Sequence, residues 1–342
     1  MCGSHPRPGT VGVEPAPAIA AYYLVEQRYR YLDFTTAKKL AGALVGFVGL
    51  PVVAAILFWL VPTQVFSDEL EVGTERPIGY QLGCHVEAAI SVEPEACEWS
   101  ADSTRPEQLP IYVVGDSNSA HYGNGLVEVA EMRNSDLTIM TARSCPFLLD
   151  TGALEGNIYR EEECDAWEAN VLTRLANSTP GVVIISASDT YWLEEISRLR
   201  LSGQDLTPSA TSLLENLGNA YAKTIRQVQG AGHQVVLLQT LPHWVGPHDW
   251  DLADCSLWEI LGGCSETMPA QFTLTRAGDI RDTLNDRGVR EGAIVVDFID
   301  HFCPQGTCHT RGDGYWLYRD ANHISNPASL ELVPLWLEVL PQ

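Results

Sequence analysis

Five short apolar runs rich in β-branched residues, separated by longer helix-forming stretches, constrain this chain more than any other feature. They are Ile111–Val114, Leu137–Thr141, Val182–Ser186, Gln234–Gln239 and Ala293–Phe298. A strand that is wet on one face alternates polar with apolar residues. These runs are nearly continuously apolar, as parallel strands covered on both faces are. Helical stretches fall between them at about 120–132, 164–176, 209–229 and 274–287, and a last one is expected at about 327–340. Ser209, Thr211 and Ser212 bring hydroxyl capping groups to the start of the third stretch, and Gly230 and Gly232 close it. Strand and helix alternating over this length predict a three-layer α/β/α domain around a parallel sheet.

That architecture says where chemistry belongs, because an open parallel sheet binds ligands beyond the carboxyl ends of its strands. Gly115-Asp116-Ser117 follows the first run directly, and Asp320-Ala321-Asn322-His323 follows the last, ahead of the final helix. A hydroxyl nucleophile, an imidazole base and a carboxylate to orient the base are the parts that serine-dependent acyl transfer needs. A glycine–aspartate–serine turn alone is common in loops; its conjunction with a late D-x-x-H is far more specific. In these roles Ser117 attacks, His323 removes its proton and Asp320 holds the imidazole tautomer. Asp116 is expected to brace the turn through side-chain hydrogen bonds.

One segment stands apart. Leu40 to Val61 is 22 residues without a charge, which as a helix reaches roughly 33 Å, the thickness of a bilayer core. It is too long and starts too late for a secretory signal, so a transmembrane helix is expected at 40–62. Of the 21 basic and 44 acidic residues, five (Arg7, Arg28, Arg30, Lys38, Lys39) and three (Glu14, Glu26, Asp33) precede residue 63, which leaves 16 and 41 beyond it. Basic residues before the span put residues 1–39 in the cytoplasm and everything after the span outside. Residues 63–109 show little periodicity and read as a polar linker with one disulfide loop, ahead of the domain at 110–342. So acidic a domain repels nucleic acid, and no nucleic-acid partner is expected.

Cys2 precedes the span and eight cysteines follow it, an even number in a compartment where disulfides persist. Eight cysteines allow 105 pairings. Order along the chain suggests the local ones: Cys84–Cys97, Cys145–Cys164, Cys255–Cys264 and Cys303–Cys308. No C-x-x-C pair and no cysteine–histidine cluster has ligand spacing, so no metal is expected.

The motifs themselves carry a resemblance. VVGDSNSAHYG resembles the first block of the SGNH (GDSL-type) hydrolase superfamily, and YRDANHIS its last. The longer string CPQGTCHTRGDGYWLYRDANHIS is closer to the SGNH domain fused behind acyltransferase-3 membrane proteins, in which a cysteine pair precedes D-x-x-H-L-S as Cys303, Cys308, Asp320 and His323 do here. Near the N-terminus, YYLVEQRYR resembles the end of an acyltransferase-3 membrane domain. The resemblance covers about residues 20–62 and 108–335. It implies a flavodoxin-like SGNH fold and O-acetylation of an envelope glycan or glycolipid. It also implies no directly bound cofactor, the acyl group being drawn from cytoplasmic acyl-CoA by a membrane acyltransferase-3 partner in the bilayer. An acetylesterase of the same fold and a catalytically inactive envelope-binding module are the alternatives.

Three departures bear on the site. Asn118 stands where a histidine often follows the nucleophile, and Ile324 stands for leucine. The third block, which in the superfamily supplies an oxyanion-hole asparagine, reads Ile185-Ser186-Ala187-Ser188-Asp189-Thr190. The hole is therefore expected to use the backbone N–H of Ser117 and a donor near Arg143-Ser144-Cys145. A further contact from Ser188 or Asp189 is weighed against a merely structural turn. His121 reads as a packing or capping residue. The loop carrying His243, Trp244, His248 and Trp250 is either packed or available to stack on a sugar ring. His301 and His309 have no assigned role.

Overall fold

The structure, a computed structural model, describes residues 36, 38, 41–42, 45–56, 67–86, 97–106, 108–150, 161–193, 205, 207–255 and 264–341. The chain divides into two compact units, Met1–Thr63 and Gln64–Gln342. In the first, residues 45–56 are helical, with Val45–Gly49 in the wider π geometry. Val45, Leu50 and Val53 there are exposed. Among the described residues no helix is long and apolar enough to cross a membrane. The span expected at 40–62 is described only at 41–42 and 45–56, and residues 1–35 lie outside the described residues.

The second unit is built on β1 (His85–Val86), β2 (Cys97–Trp99), β3 (Ile111–Gly115), β4 (Leu137–Ala142), β5 (Val182–Ser186), β6 (Gln234–Leu238), β7 (Thr267–Pro269), β8 (Ile294–Val296) and β9 (Thr307–His309). The main sheet runs β1-β4-β3-β5-β6-β8, parallel throughout, and β2 joins β4 antiparallel. β7 and β9 form a separate antiparallel pair. The helices are α1 (Ser67–Thr74), α2 (Ile78–Leu82), α3 (Ser117–Ala120), α4 (Gly123–Arg133), α5 (Glu161–Ala176), α6 (Pro208–Gly230), α7 (Ala270–Arg290), α8 (Ile299–Phe302), α9 (Asn326–Glu331) and α10 (Val333–Val339).

The continuous apolar runs are explained by two separate cores. Ile111, Val113, Val182, Ile184, Val236 and Leu238 point into one, where Leu126, Val129 and Trp336 of α4 and α10 cover them. Their neighbours Tyr112, Val114, Val183, Ile185, Val235 and Leu237 point into the other, against Trp167, Tyr221, Ile225 and Ile280 of α5, α6 and α7. Each fully buried aliphatic side chain contributes about 1.5–3 kcal/mol before entropy is counted, so an unpaired polar side chain at these positions would be costly on either face. The result is an α/β/α sandwich whose central strands β4-β3-β5-β6-β8 follow the flavodoxin-like order. In that order the chain leaves β3 first to one side and later to the other, which opens a crevice at the carboxyl ends of β3 and β5.

The stretch 63–109 is not a linker. α1, α2, β1 and β2 belong to the same compact unit as the sheet. The Ile78 N–H donates to Asn124 Oδ1 (2.9 Å), and Glu69 pairs with Arg311 at 2.5 Å. β1 lies beside Thr141–Ala142 and β2 beside Leu137–Ile139, so the two share one edge of β4 and the Cys84–Cys97 disulfide ties them together. Strands of two and three residues carry no readable period, which is why the sequence pattern misses them.

Candidate active site

The carboxyl end of β3 is shaped for a sharp exit. Gly115 has φ 136°, and a Cβ there would lie 2.4 Å from both Ser119 Oγ and Ser186 O; no other residue fits. Ser119 locks the turn onto β5. Its hydroxyl lies 2.7 Å from Val114 O and 2.9 Å from Ser186 O, and it accepts the Ser186 N–H at 3.0 Å. Ser117 then opens α3, with its N–H at the first helical position, where no intrahelical acceptor exists.

Asp116 caps that helix and does more. Fully buried, it accepts the Asn118 N–H (2.7 Å), the Ser188 N–H (2.8 Å) and the Tyr191 hydroxyl (2.5 Å). Burial pushes its pKa up against those three hydrogen bonds. The side chain expected to brace one turn therefore ties the turn after β3 to the loop after β5, with Tyr191 as a partner that no sequence motif marks.

The other half of the site comes from the loop before α9. Arg319 N–H donates to His323 O (2.9 Å), Ser325 N–H to Leu317 O (3.0 Å) and Trp244 N–H to Ala321 O (2.7 Å). Ser325 caps α9 by accepting the Ala328 N–H at 3.2 Å. Close helix packing sets the distance to β3: a Cβ on Gly125 of α4 would sit 2.1 Å from Ser329 O, and the Gly125 N–H donates to Ser329 Oγ at 2.9 Å.

Ser117, His323 and Asp320 meet at this point. Ser117 Oγ is 2.8 Å from His323 Nε2, and His323 Nδ1 is 2.7 and 2.9 Å from the two Asp320 oxygens. The Asp320 carboxylate also accepts the N–H groups of Asn322 (3.1 Å) and His323 (2.9 Å), and the Arg319 guanidinium lies 3.3 Å away. Burial raises its pKa, but the hydrogen bond and charge of His323, the Arg319 cation and the Asn322 amide outweigh burial and hold it well below the usual carboxylate range. Asp320 is thus an acceptor for Nδ1–H, which leaves Nε2 to take a proton from Ser117. His121 packs edge-on to His323 with ring centroids 6.1 Å apart. It is buried, with neither nitrogen partnered among the described residues, and burial followed by the charge of His323 holds it neutral.

A family model described as the SGNH domain fused to AT3 domains matches residues 83–338. The chain belongs to that family. No curated protein matches it. This SGNH domain is similar to the periplasmic domain of a Salmonella ser. Paratyphi A lipopolysaccharide acetyltransferase, at 17% identity and TM-score 0.47, over 69% of this chain and 88% of that one. It is also similar to an SGNH hydrolase of Slackia heliotrinireducens at 16% identity and TM-score 0.40, over 68% and 98% of the two chains. TesA aligns at 17% identity and TM-score 0.32, over 68% and 99%.

Around the three residues the SGNH domain forms a cleft of about 460 Å³, whose walls include Ser144 and Ser188. Ser144 turns at φ 62°, left-handed for a non-glycine, beside Cys145, which is bridged to Cys164. Ser188 reaches the cleft, yet its N–H is committed to Asp116 and its hydroxyl lies 2.8 Å from Thr190 Oγ1. Asp189 is not in the cleft. It is fully buried, 3.0 Å from His243 Nδ1 and 3.2 Å from Arg276. The third block is thus a brace, not a substrate contact, at Asp189. Trp244 and Trp250 are also core residues, so of the two readings of that loop the packed one describes its tryptophans. Cys255–Cys264 and Cys303–Cys308 close as the order along the chain suggests. Arg76 and Tyr80, from the stretch read as linker, line the cleft as well.

Proposed function

We propose that this domain is a serine-dependent O-acyltransferase, chiefly an acetyltransferase, acting outside the cytoplasm on a hydroxyl of a cell-envelope glycan or glycolipid. The observation that carries the reading is the continuous path from Ser117 Oγ through His323 to Asp320, at 2.8 and 2.7 Å. As Ser117 Oγ attacks the acyl carbonyl, Nε2 takes its proton, and Asp320 stabilises the imidazolium. The Ser117 N–H at the start of α3, and the turn at Ser144, are the proposed donors to the oxyanion. Collapse expels the donor's leaving group, which takes the proton back from His323. The acceptor hydroxyl then gives its proton to Nε2, attacks the acyl-serine ester and leaves as the O-acyl sugar, with Ser117 regenerated.

Fusion to AT3 domains in the family supports loading of Ser117 from a membrane acyltransferase-3 partner that draws on acyl-CoA. Four disulfides support an oxidising compartment. The uncharged segment 40–62 and the basic residues before it support a transmembrane anchor with a cytoplasmic N-terminus.

The test uses the full chain with p-nitrophenyl acetate as donor. Wild type should acquire one acetyl group on the peptide that holds Ser117 and pass it to an added oligosaccharide. Ser117→Ala should lose turnover by on the order of a million-fold while remaining folded. Turnover by Ser117→Ala within tenfold of wild type would end the assignment. Acetate as the sole product across neutral and charged glycans, with rapid removal of acetyl groups already present, would make the protein an esterase.

A further inference from the structure

The loop that carries Asp320 and His323 is shaped by its backbone. Tyr318 and Ile324 pair as an antiparallel bridge, the Arg319 N–H donates to His323 O at 2.9 Å, and the Trp244 N–H donates to Ala321 O at 2.7 Å. All three are backbone contacts, so the path of the loop does not depend on the Arg319 side chain. That side chain is nonetheless mostly buried, and it lines the cleft with Ser117. Its Nη1 is buried without a hydrogen-bond partner among the described residues. The directed bonds of the guanidinium go to Asp320, with Nε and Nη2 both 3.3 Å from Oδ2.

A carboxylate turns about its Cβ–Cγ bond in broad wells, whereas the imidazole N–H needs an acceptor at a fixed angle. Oδ1 of Asp320 is fixed from the backbone by the N–H groups of Asn322 and His323, at 3.1 and 2.9 Å. Oδ2 is fixed by Arg319. At 3.3 Å its two contacts are longer than the about 2.7–2.9 Å of a strong charge-assisted hydrogen bond. His323 Nδ1 lies closer, 2.7 and 2.9 Å from the two oxygens. Arg319 therefore restrains the carboxylate without displacing the imidazole as its nearest partner. The guanidinium is itself seated. Its carbon is 5.8 Å from the centre of the Tyr80 ring, within cation–π reach. Tyr80 stacks on His85 with ring centroids 4.0 Å apart, and His85 Nδ1 lies 2.9 Å from Thr141 Oγ1 on β4. A chain of contacts thus runs from the sheet through α2 to Asp320.

We propose that Arg319 is a positioning residue for acyl transfer: its guanidinium, seated on Tyr80, fixes the plane of the Asp320 carboxylate that orients His323. The proposal rests on the acyl-transfer reading in its kinetic arm only. A second arm is read on Ser117→Ala, where no chemistry occurs, so that failure of positioning and failure of transfer are separate results.

The kinetic arm compares turnover of p-nitrophenyl acetate by the full chain with Arg319→Met, which keeps an unbranched stem but neither charge nor donor, alone and combined with Asp320→Asn. Arg319→Met should lower kcat about tenfold and move KM by less than about twofold. Beside Asp320→Asn the same change should cost less than about twofold, because the group it acts through is already altered. Arg319→Lys, which restores the cation, should bring kcat back to within about threefold of wild type. A loss in kcat that persists undiminished beside Asp320→Asn would overturn the proposal, as would lysine doing no better than methionine. So would a raised KM with kcat unchanged, which would make Arg319 a substrate contact.

The second arm follows the proton on His323 Nδ1 by proton NMR of full-length Ser117→Ala. Bonded to Asp320, that proton should give a downfield resonance, assigned by its loss when Asp320→Asn is added. Adding Arg319→Met should broaden it through faster exchange with solvent. A resonance indifferent to Arg319→Met would overturn the proposal whatever the kinetics show. A wild type without turnover, its resonance still dependent on Arg319, would remove only the acyl-transfer reading. If Arg319→Met fails to fold, Arg319→Gln takes its place in both arms.

Discussion

Among the described residues two aspartate–histidine–arginine groups sit in this domain, and only one is placed to do chemistry. Asp320 has His323 Nδ1 at 2.7 Å and Arg319 at 3.3 Å; Asp189 has His243 Nδ1 at 3.0 Å and Arg276 at 3.2 Å. In both, burial raises the carboxyl's pKa, and the interactions with the neighbouring histidine and arginine more than reverse it. The difference lies beyond the aspartate. Asp320 and His323 keep 24% and 15% of their side-chain surface, and His323 Nε2 faces Ser117 Oγ at 2.8 Å. Asp189 and His243 keep none, and His243 Nε2 has no partner among the described residues. At His243 Nδ1 the contact with Asp189 is close but off hydrogen-bond angle. A shared set of residue types does not make a reactive site. What the second ring nitrogen meets, and whether substrate can reach it, does.

The sharpest way to break this comparison is to remove each carboxylate's charge in turn. Asp320→Asn should lower turnover on the order of ten-thousand-fold, because the imidazole loses the acceptor that fixes its tautomer. Unfolding free energy should change by about 1 kcal/mol or less, as the pair is partly exposed. Asp189→Ala should do the reverse. It leaves Arg276 buried without its counter-charge, a loss of about 3–5 kcal/mol, read as a lower denaturant midpoint, while turnover per folded molecule stays within tenfold. If Asp189→Ala silences folded enzyme as thoroughly as Asp320→Asn, the buried group is part of the machinery and the distinction fails.

The same contrast explains what the sequence could and could not announce. Four of the five strand cores stand out because they are buried on both faces, which forces a nearly unbroken apolar run; the fifth, β8 at the end of the sheet, leaves Ile294 exposed. Ser117 and the Asp320–His323 pair are legible because tight turns at strand ends need particular residues close together in sequence. Even the helix after Ser117 is readable only in outline: a single helix expected at about 120–132 is two, α3 and α4, with His121 and Tyr122 between them. Asp189 misleads for the same reason in reverse. It follows β5 as Ser117 follows β3, and nothing local says that its side chain turns inward to partners 54 and 87 positions away, His243 and Arg276. Arg76 lies between two short helices and Tyr80 within the second, elements too short to carry a period. Their role exists only once β1 is laid against β4.

A third histidine sharpens the comparison with a smaller effect. His85 is buried, with Nδ1 2.9 Å from Thr141 Oγ1 and Nε2 without a hydrogen-bond partner among the described residues. Burial, then His323, Arg319, Arg143 and Arg76, depress its pKa to about 3, against about 6.5 in an unfolded chain. Below pH about 6.5 the unfolded chain binds a proton that the folded one refuses, so stability falls as pH falls, by up to about 1.4 kcal/mol per unit. Asp320 and Asp189, both depressed, stay ionised through this window and lose their contribution only below about pH 4. Glu168, raised to about 9 by burial and by Asp165, acts with the opposite sign; it is common to wild type and variant and cancels between them. His85→Gln, compared with wild type by chemical denaturation at about pH 7.5 and pH 5.5, should therefore lose about 1 kcal/mol less on acidification. An identical loss in both proteins would mean that His85 is protonated in the fold. It would then be a cation held close to Arg319, Arg143 and Arg76.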